Sequence, residues 1–242
     1  MNAEQMRTGL FVPSTVVLVG VLVLLGLGTW QLEREHWKQG MIDTLGRRLA
    51  AAPVELPPPD AWQQLTPENS EFIRVRMRVE YLKADDALAY TSGSALRDDV
   101  KSPGYFVFSP VLLPGGQLIV VNRGYTPDRS YPRPTGSEEI VGAIRWPELP
   151  SLFVTEYDST SAIWFTRDHR RMAVVNRWGD VAPFYIEQEA PIPPGGLPHP
   201  AALKVRLRND HLQYALTWYS LAAVLVVIFA LWVGKRRPEG HV

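Results

Sequence analysis

Two uncharged apolar runs constrain the fold of this chain more than any other feature of its sequence. Residues 10–32 (LFVPSTVVLVGVLVLLGLGTWQL) and residues 212–233 (LQYALTWYSLAAVLVVIFALWV) contain no Asp, Glu, Lys or Arg. About 20 apolar residues, each rising 1.5 Å along a helix, cross the hydrocarbon core of a bilayer. The sequence therefore predicts a membrane protein with transmembrane helices at residues 10–32 and 211–233.

The charges beside the two runs predict how the chain is oriented. Three basic residues at 235–237 follow the second run, and Arg7 precedes the first. Because positively charged flanks stay in the cytoplasm, both termini (1–9 and 234–242) are expected there. Residues 33–210 then form an extracytoplasmic domain. Nine residues before the first run are too few for a mitochondrial presequence, which favours a bacterial plasma (inner) membrane and a periplasmic domain.

The segment between the runs has the patterns of a β-rich domain. Residues 71–82 (EFIRVRMRVEYL) alternate between apolar and polar side chains, which is typical of a half-buried strand. Further strands are expected at residues 87–91, 105–113, 117–122, 139–145, 163–166 and 203–208. We expect the first two strands to form a hairpin, and Asp168 to cap a short helix. These short strands predict an antiparallel barrel or sandwich-like fold.

Charge and composition exclude several classes of function. The chain has 25 basic and 25 acidic residues, so it lacks the basic excess of a nucleic-acid-binding protein. It has no cysteine, which excludes disulfides, thiolate metal sites and thioether haem attachment. The sequence contains no GxSxG, HExxH, P-loop or complete dinucleotide motif, so we do not expect an enzyme.

The basic faces of two predicted strands leave two interpretations open. Arg74, Arg76 and Arg78 share the polar side of the first alternating strand, and Lys204, Arg206 and Arg208 share that of the last. They could form an ordinary solvent-facing surface of a sheet. Alternatively, they could bind an anion, such as the carboxylate of a ligand or a lipid headgroup.

The stretch NDHLQYALTWYS, at residues 209–220, contains the best candidate for a binding site. His211, Tyr214, Ala215 and Trp218 share one helical face at the start of the second apolar run. Belts of interfacial aromatic residues are common at membrane surfaces, and one explanation is a histidine beside such a belt. The other is a flat apolar cofactor, held by a neutral imidazole as axial ligand with aromatic rings beside it.

Four separate stretches resemble one known family. LGTWQLEREHWK (27–38), NRGYTP (122–127), FYIE followed by PPGG (184–196) and NDHLQYALTWYS occur in the order found in the Surfeit locus protein 1 family. Members of that family are cytochrome c oxidase assembly proteins. The resemblance implies that this chain helps to assemble respiratory complex IV, as a chaperone that binds haem A. Its expected partners are the lipid bilayer and the large catalytic subunit, with haem A synthase as a further candidate.

The resemblance also assigns roles to particular residues. The histidine at the start of the family's second membrane helix is implicated in haem A binding, so His211 is the expected axial ligand of the haem iron. Trp218 is the expected pocket wall, with Tyr214 beside it. The family's first-helix motif is matched by Trp30, Gln31, Arg34 and Trp37, whose role stays open between structure and function. The haem propionates are expected to pair with Arg34, Arg206 or Arg208.

We expect the two membrane helices to pair, and we consider two other classes of function. Gly26 and Gly28 are expected to let the two membrane helices approach closely. A protein of a different class, a scaffold that stabilises an oxidase assembly intermediate without binding haem, is the alternative function. The absence of cysteine argues against a third class, a copper chaperone with thiolate ligands.

Overall fold

A computed structural model describes residues 3–148, 156–204 and 209–235 of the chain. It confirms the predicted fold class, because two long apolar helices at the termini flank a β-rich domain. The chain divides into two compact units, one formed by Met1–Asp43 with Leu207–Val242 and the other by Thr44–Arg206. We call them the helical unit and the β unit.

The helical unit is built from two helices that are each long and apolar enough to cross a membrane. Helix α1 runs from Ala3 to Ala50, and helix α4 from His211 to Lys235. Helix α1 continues well beyond the apolar run because residues 33–50 contain no proline, and it ends shortly before Pro53. Its last seven residues, from Thr44 onwards, belong to the β unit.

The β unit contains a closed five-stranded barrel with additional strands. Its elements are β1 (Val54–Glu55), α2 (Pro67–Ser70), β2 (Arg74–Tyr81), β3 (Ala87–Thr91), β4 (Gly104–Leu112), β5 (Leu118–Thr126), β6 (Ser137–Arg145), β7 (Tyr157–Asp158), β8 (Ile163–Trp164), α3 (His169–Asn176) and β9 (Val181–Ala190). The strand order is β1-β2-β6-β9-β5-β4-β3-β8-β7, and a further pairing of β2 with β4 closes the barrel. Barrel closure leaves β2, β6, β9, β5 and β4 without a free edge.

The alternating pattern of β2 places its apolar side chains in the barrel. Val75, Met77, Val79 and Tyr81 are buried, and the polar residues between them are exposed. They pack with apolar residues of the other barrel strands, including Phe184 of β9. Trp62, in a 3-10 helix at Pro59–Gln64, meets the Phe184 ring edge-on at a centroid distance of 5.4 Å. The interior of the barrel is therefore a packed core rather than a channel.

Helix α3 covers part of the outer surface of the barrel. Asp168 caps it as predicted, and its carboxylate accepts hydrogen bonds from the backbone N–H groups of Arg170 and Arg171. Met172 and Ala173 pack in a second apolar cluster together with side chains of β3, β4, β5, β8 and β9. The outer face of these strands is consequently also covered by apolar side chains, and strict alternation is lost there.

The strand predictions were wrong about one pairing and about Leu203 and Lys204, and they missed β1, β7 and β9. Strand β3 pairs with β4 rather than forming a hairpin with β2, because β2 is flanked by β1, β6 and β4. Strand β9 was not predicted, and it pairs in parallel with β5. In the expected strand at 203–208, Leu203 and Lys204 are not in a strand, and residues 205–208 lie outside the described part of the chain.

The arginines on β2 are largely paired with carboxylates of the same unit. Arg74 makes two hydrogen bonds, of 2.8 and 2.7 Å, to the carboxylate of Glu189. Arg76 lies 2.8 Å from a carboxylate oxygen of Glu55. Charges that are already neutralised by neighbours support the interpretation of this strand face as an ordinary polar surface rather than an anion site.

Candidate functional site

His211 is the first residue of helix α4, and its side chain contacts helix α1. The imidazole Nδ1 lies 2.7 Å from Oε1 of Gln31, a residue 180 positions earlier in the chain. A neutral imidazole carries one N–H, and an amide oxygen only accepts hydrogen bonds. Nδ1 therefore carries the proton and donates a hydrogen bond to Gln31 Oε1. Nε2 keeps its lone pair. That lone pair is the part of a histidine that binds a metal ion.

Small residues and one tyrosine bring the two helices together below His211. Ala215 and Ala222 are buried although no large side chain of α4 is, so they mark the face of α4 that packs on α1. The Tyr219 hydroxyl lies 3.1 Å from Thr29 Oγ1. His211, Ala215 and Tyr219 follow one another at intervals of four residues, so His211 belongs to this packed face.

Only one of the two glycines expected at the helix contact lies there. Gly28 is buried, and a Cβ atom added to it would lie 2.7 Å from a ring carbon of Tyr219. Nothing lies within 4 Å of a Cβ added to Gly26, so its expected role in packing is wrong. Gly20 is a second close approach, because a Cβ there would lie 3.1 Å from Leu225. Helix pairing thus depends on positions 20 and 28.

Tyr214 and Trp218 lie beside the packed face, on the same side of α4. Tyr214 is exposed, with 56% of its surface accessible. Trp218 is half-buried, and its indole Nε1 is buried without a hydrogen-bond partner among the described residues. An indole N–H can only donate, and a buried donor is normally paired. Tyr214 and Trp218 therefore follow His211 by three and seven residues on one side of α4, and Trp218 has an unused donor.

Arg34 lies on α1, one helical turn after Gln31, but its charge is directed at a tryptophan. The guanidinium carbon lies 4.7 Å from the centre of the Trp37 ring, which is a cation–π contact. No contact among the described residues brings Arg34 against His211. The other two expected partners of the propionates, Arg206 and Arg208, lie outside the described part of the chain.

The helix contact is also fixed on the other side of Gln31. The Asn209 amide donates a hydrogen bond of 3.4 Å to the backbone carbonyl of Glu35. Gln31 is thus flanked along α1 by a contact at residues 28–29 and another at Glu35. Both contacts restrict the register of α1 against the start of α4, where His211 lies.

A buried histidine in the β unit shows what a purely structural imidazole looks like in this chain. His169 is inaccessible to solvent, and its Nε2 lies 3.0 Å from the carbonyl oxygen of Ala182. Burial lowers the pKa of His169 to about 4. Across the described residues, no group of three His, Cys, Asp or Glu side chains comes together as a metal site. His211 is therefore not part of such a group.

Comparison with known proteins identifies the family. The sequence model of the SURF1 family matches residues 18–223, which include both Gln31 and His211. The chain belongs to the SURF1 family. This SURF1 family member is 31% identical to a SURF1-like protein of Monosiga brevicollis, over 91% of this chain and 86% of that protein. It is 31% identical to Surfeit locus protein 1 of Takifugu rubripes, with 87% and 92% covered. Against Surfeit locus protein 1 of Homo sapiens, the identity is 29%, with 86% and 73% covered.

The hydrogen bond between Gln31 and His211 joins two of the stretches that carry the resemblance to SURF1. The sequence could not reveal this contact, because it depends on the register between two helices at opposite ends of the chain. One signal did point to Gln31: it is a polar amide at the end of an otherwise apolar run. Polar side chains in such positions are expensive in a membrane and usually have a partner.

Proposed function

We propose that this SURF1 family member is an assembly factor for haem–copper cytochrome c oxidase. In this role it binds haem A transiently and assists its delivery to, or its stabilisation in, the large catalytic subunit. Family membership and the motifs of the two helices support the general role in oxidase assembly. The observation that carries the haem proposal is the hydrogen bond from His211 Nδ1 to Gln31 Oε1, because it leaves Nε2 available for iron.

The residues around His211 fit a haem group. Iron in a haem accepts a neutral imidazole nitrogen as an axial ligand. Tyr214 and Trp218 offer aromatic surface on the same side of α4 as His211, and the Trp218 N–H can donate to an oxygen atom of a bound molecule. Arg34 is the described cation nearest to Gln31 along α1, and it could leave the Trp37 ring to pair with a propionate.

A site of this kind suits a protein that must release its cofactor. In this proposal His211 supplies one axial nitrogen to the iron, and the described residues hold no group of three potential metal ligands. The hydrogen-bonding partner of His211 is a neutral amide rather than a carboxylate, so the imidazole gains little negative character. Both features favour moderate affinity, which a donor of haem requires.

We further propose that the two candidate membrane helices place the β unit on the periplasmic side of a bacterial inner membrane. The basic residues at 235–237 support this orientation, because they come directly after the second apolar run and Gly234. Both chain termini then face the cytoplasm, and His211 lies at the outer surface of the bilayer. From that position the protein can meet the large oxidase subunit and haem A synthase, which we regard as its partners in the membrane.

The haem proposal is tested by the visible spectrum of protein purified in detergent from cells that make haem A. The wild type is expected to carry a haem A spectrum, and His211→Ala is expected to lose most of it. His36→Ala is the matched control, because His36 lies on α1 beyond the apolar run, is exposed, and hydrogen-bonds to the backbone of its own helix at Leu32. A spectrum that is unchanged in His211→Ala would exclude His211 as the ligand.

The same purification also tests the alternative function. A scaffold that never binds haem would purify without any haem spectrum, while the large oxidase subunit still purifies with it. Wild-type protein that carries haem A and loses it in His211→Ala is the result that favours the proposed function over the scaffold.

A further inference from the structure

We infer that Gln31 is a positioning residue for His211, one that selects the imidazole tautomer able to bind iron. This inference rests on the proposed function, in which His211 is the axial ligand. It assigns a role to one of the four first-helix residues whose role the family resemblance left open. Gln31 does not touch the bound group in this role, since it acts through the ring nitrogen on the far side of the imidazole.

The first step is the chemistry of the hydrogen bond. A neutral imidazole has two tautomers, and the one with its proton on Nε2 cannot use that nitrogen as a metal ligand. The Gln31 Oε1 atom lies 2.7 Å from Nδ1 and accepts a hydrogen bond from the Nδ1–H group. The tautomer that this bond stabilises has its lone pair on Nε2. A hydrogen bond to the second ring nitrogen is the usual way in which proteins orient metal-binding histidines.

The second step is that Gln31 is itself held in place. Gly28 and Thr29, one turn earlier on α1, contact Tyr219 of α4. Glu35, one turn later, accepts a hydrogen bond from Asn209. The amide of Gln31 therefore lies between two fixed contacts of the same helix pair, and it can restrain the imidazole ring rather than follow it.

The third step explains why an amide suits this position. A carboxylate in place of the amide would hold Nδ1–H more strongly and make Nε2 a stronger donor to iron. It would also place a charge at the edge of an apolar helix pair, which is costly in a membrane. A neutral amide orients the ring without either effect, as a site that must release its cofactor requires.

The inference is tested first without haem, by nitrogen NMR of protein labelled at histidine and purified in detergent. The chemical shifts of the two ring nitrogens report which one carries the proton. Wild-type His211 is expected to be protonated at Nδ1, and Gln31→Leu is expected to lose this preference. His211→Ala assigns the signals. A wild-type His211 that carries its proton on Nε2 would overturn the inference, whatever the outcome with haem.

The second test uses the haem A complex purified from cells that make haem A. Removal of the hydrogen bond in Gln31→Leu is expected to weaken haem binding by about ten- to a hundredfold. In resonance Raman spectra of the ferrous complex, the stretching frequency between iron and histidine should fall in Gln31→Leu and rise in Gln31→Glu. Gln39→Leu is the matched control, because Gln39 lies on the same helix and donates to exposed Asp43, 2.9 Å away. This control should match the wild type in both measurements.

The outcomes separate the inference from the function on which it rests. Haem that is lost in His211→Ala but is bound equally well, with an unchanged frequency, in Gln31→Leu would refute the role of Gln31 alone. A wild type without haem, or haem that stays in His211→Ala, would refute the proposed ligand and with it the role of Gln31. A changed Raman frequency in both Gln31 variants, in opposite directions, is a result that a merely structural glutamine would not give.

Discussion

Acidification should destabilise the β unit through one buried histidine, His169. Its ring is inaccessible to solvent and its pKa is lowered to about 4 because burial disfavours the charged form. In the unfolded chain the same side chain titrates at its ordinary value of about 6.5. Between these two values the unfolded state binds one proton that the folded state does not bind.

The size of the effect follows from the two pKa values. The contribution of His169 to the free energy of unfolding is complete above pH 6.5. It is lost as the pH falls towards the pKa of His169 in the folded state. One pKa unit corresponds to about 1.4 kcal/mol, so the total loss is about 3 kcal/mol. About 2 kcal/mol of this is lost by pH 5, on the same linkage relation. Domains of this kind have stabilities of only about 5–15 kcal/mol, so the loss is measurable.

The measurement is urea unfolding of the full-length protein in detergent at pH 7.5 and pH 5. Tryptophan fluorescence reports the β unit, because Trp164 and Trp178 are buried in the apolar cluster next to His169. His169→Gln lowers stability at both pH values, but it removes the titrating group. The difference in free energy between the two pH values should therefore be smaller in His169→Gln than in the wild type, by about 2 kcal/mol.

The control for this experiment is His36→Gln, which removes an exposed histidine and should leave the pH dependence of the wild type unchanged. Equal pH dependence in the wild type and in His169→Gln would show that His169 is protonated in the folded state or is accessible to water. Either result would contradict the buried neutral imidazole that donates to Ala182.

Two further predictions concern glycines. Gly124→Ala should destabilise the β unit by more than about 2 kcal/mol in urea unfolding, because Gly124 has a φ of 115° and an added Cβ would overlap the backbone of His199. Gly28→Leu should disrupt helix pairing by displacing Tyr219, measured as an increased distance between spin labels on α1 and α4, whereas Gly26→Leu should leave that distance unchanged.

The two long helices and strand β2 could be predicted from the sequence. The two long helices follow from uncharged runs of sufficient length, and β2 follows from strict alternation between a packed interior and solvent. In each case the signal lies within the element itself, either as an apolar length that crosses a bilayer or as alternation with the period of a strand. The register of these elements against the rest of the chain is not contained in such patterns.

Strand β9 could not be predicted, because both of its faces are covered and its sequence does not alternate. Phe184 and Ile186 point into the barrel, while Tyr185 and Glu187 lie under the outer cluster or in buried polar contacts. With both faces covered, apolar and polar residues no longer alternate, and Pro183 further weakens the signal of a strand. Its parallel pairing with β5 is a contact between distant segments, which only the closed barrel reveals.

The sequence predicts which residues of the candidate site share a helix face, but not the hydrogen-bonding partner of His211. The spacing of His211, Tyr214 and Trp218 is enough to place them on one side of a helix. The partner of His211 depends on how α4 packs against α1, and the sequence offered Gly26 and Gly28 equally as packing positions. The structure selects Gly28, and this register brings Gln31 to the imidazole.

It follows that the tautomer of His211 is a property of the helix pair and not of α4 alone. Nδ1 of His211 is hydrogen-bonded to a residue 180 positions away, and that hydrogen bond exists only while α1 and α4 are paired. Contacts that stabilise the pair, such as Tyr219 with Thr29, therefore also favour the tautomer with its lone pair on Nε2. In the proposed function, separation of the helices would remove the hydrogen bond from His211 to Gln31 and thereby weaken the binding of haem.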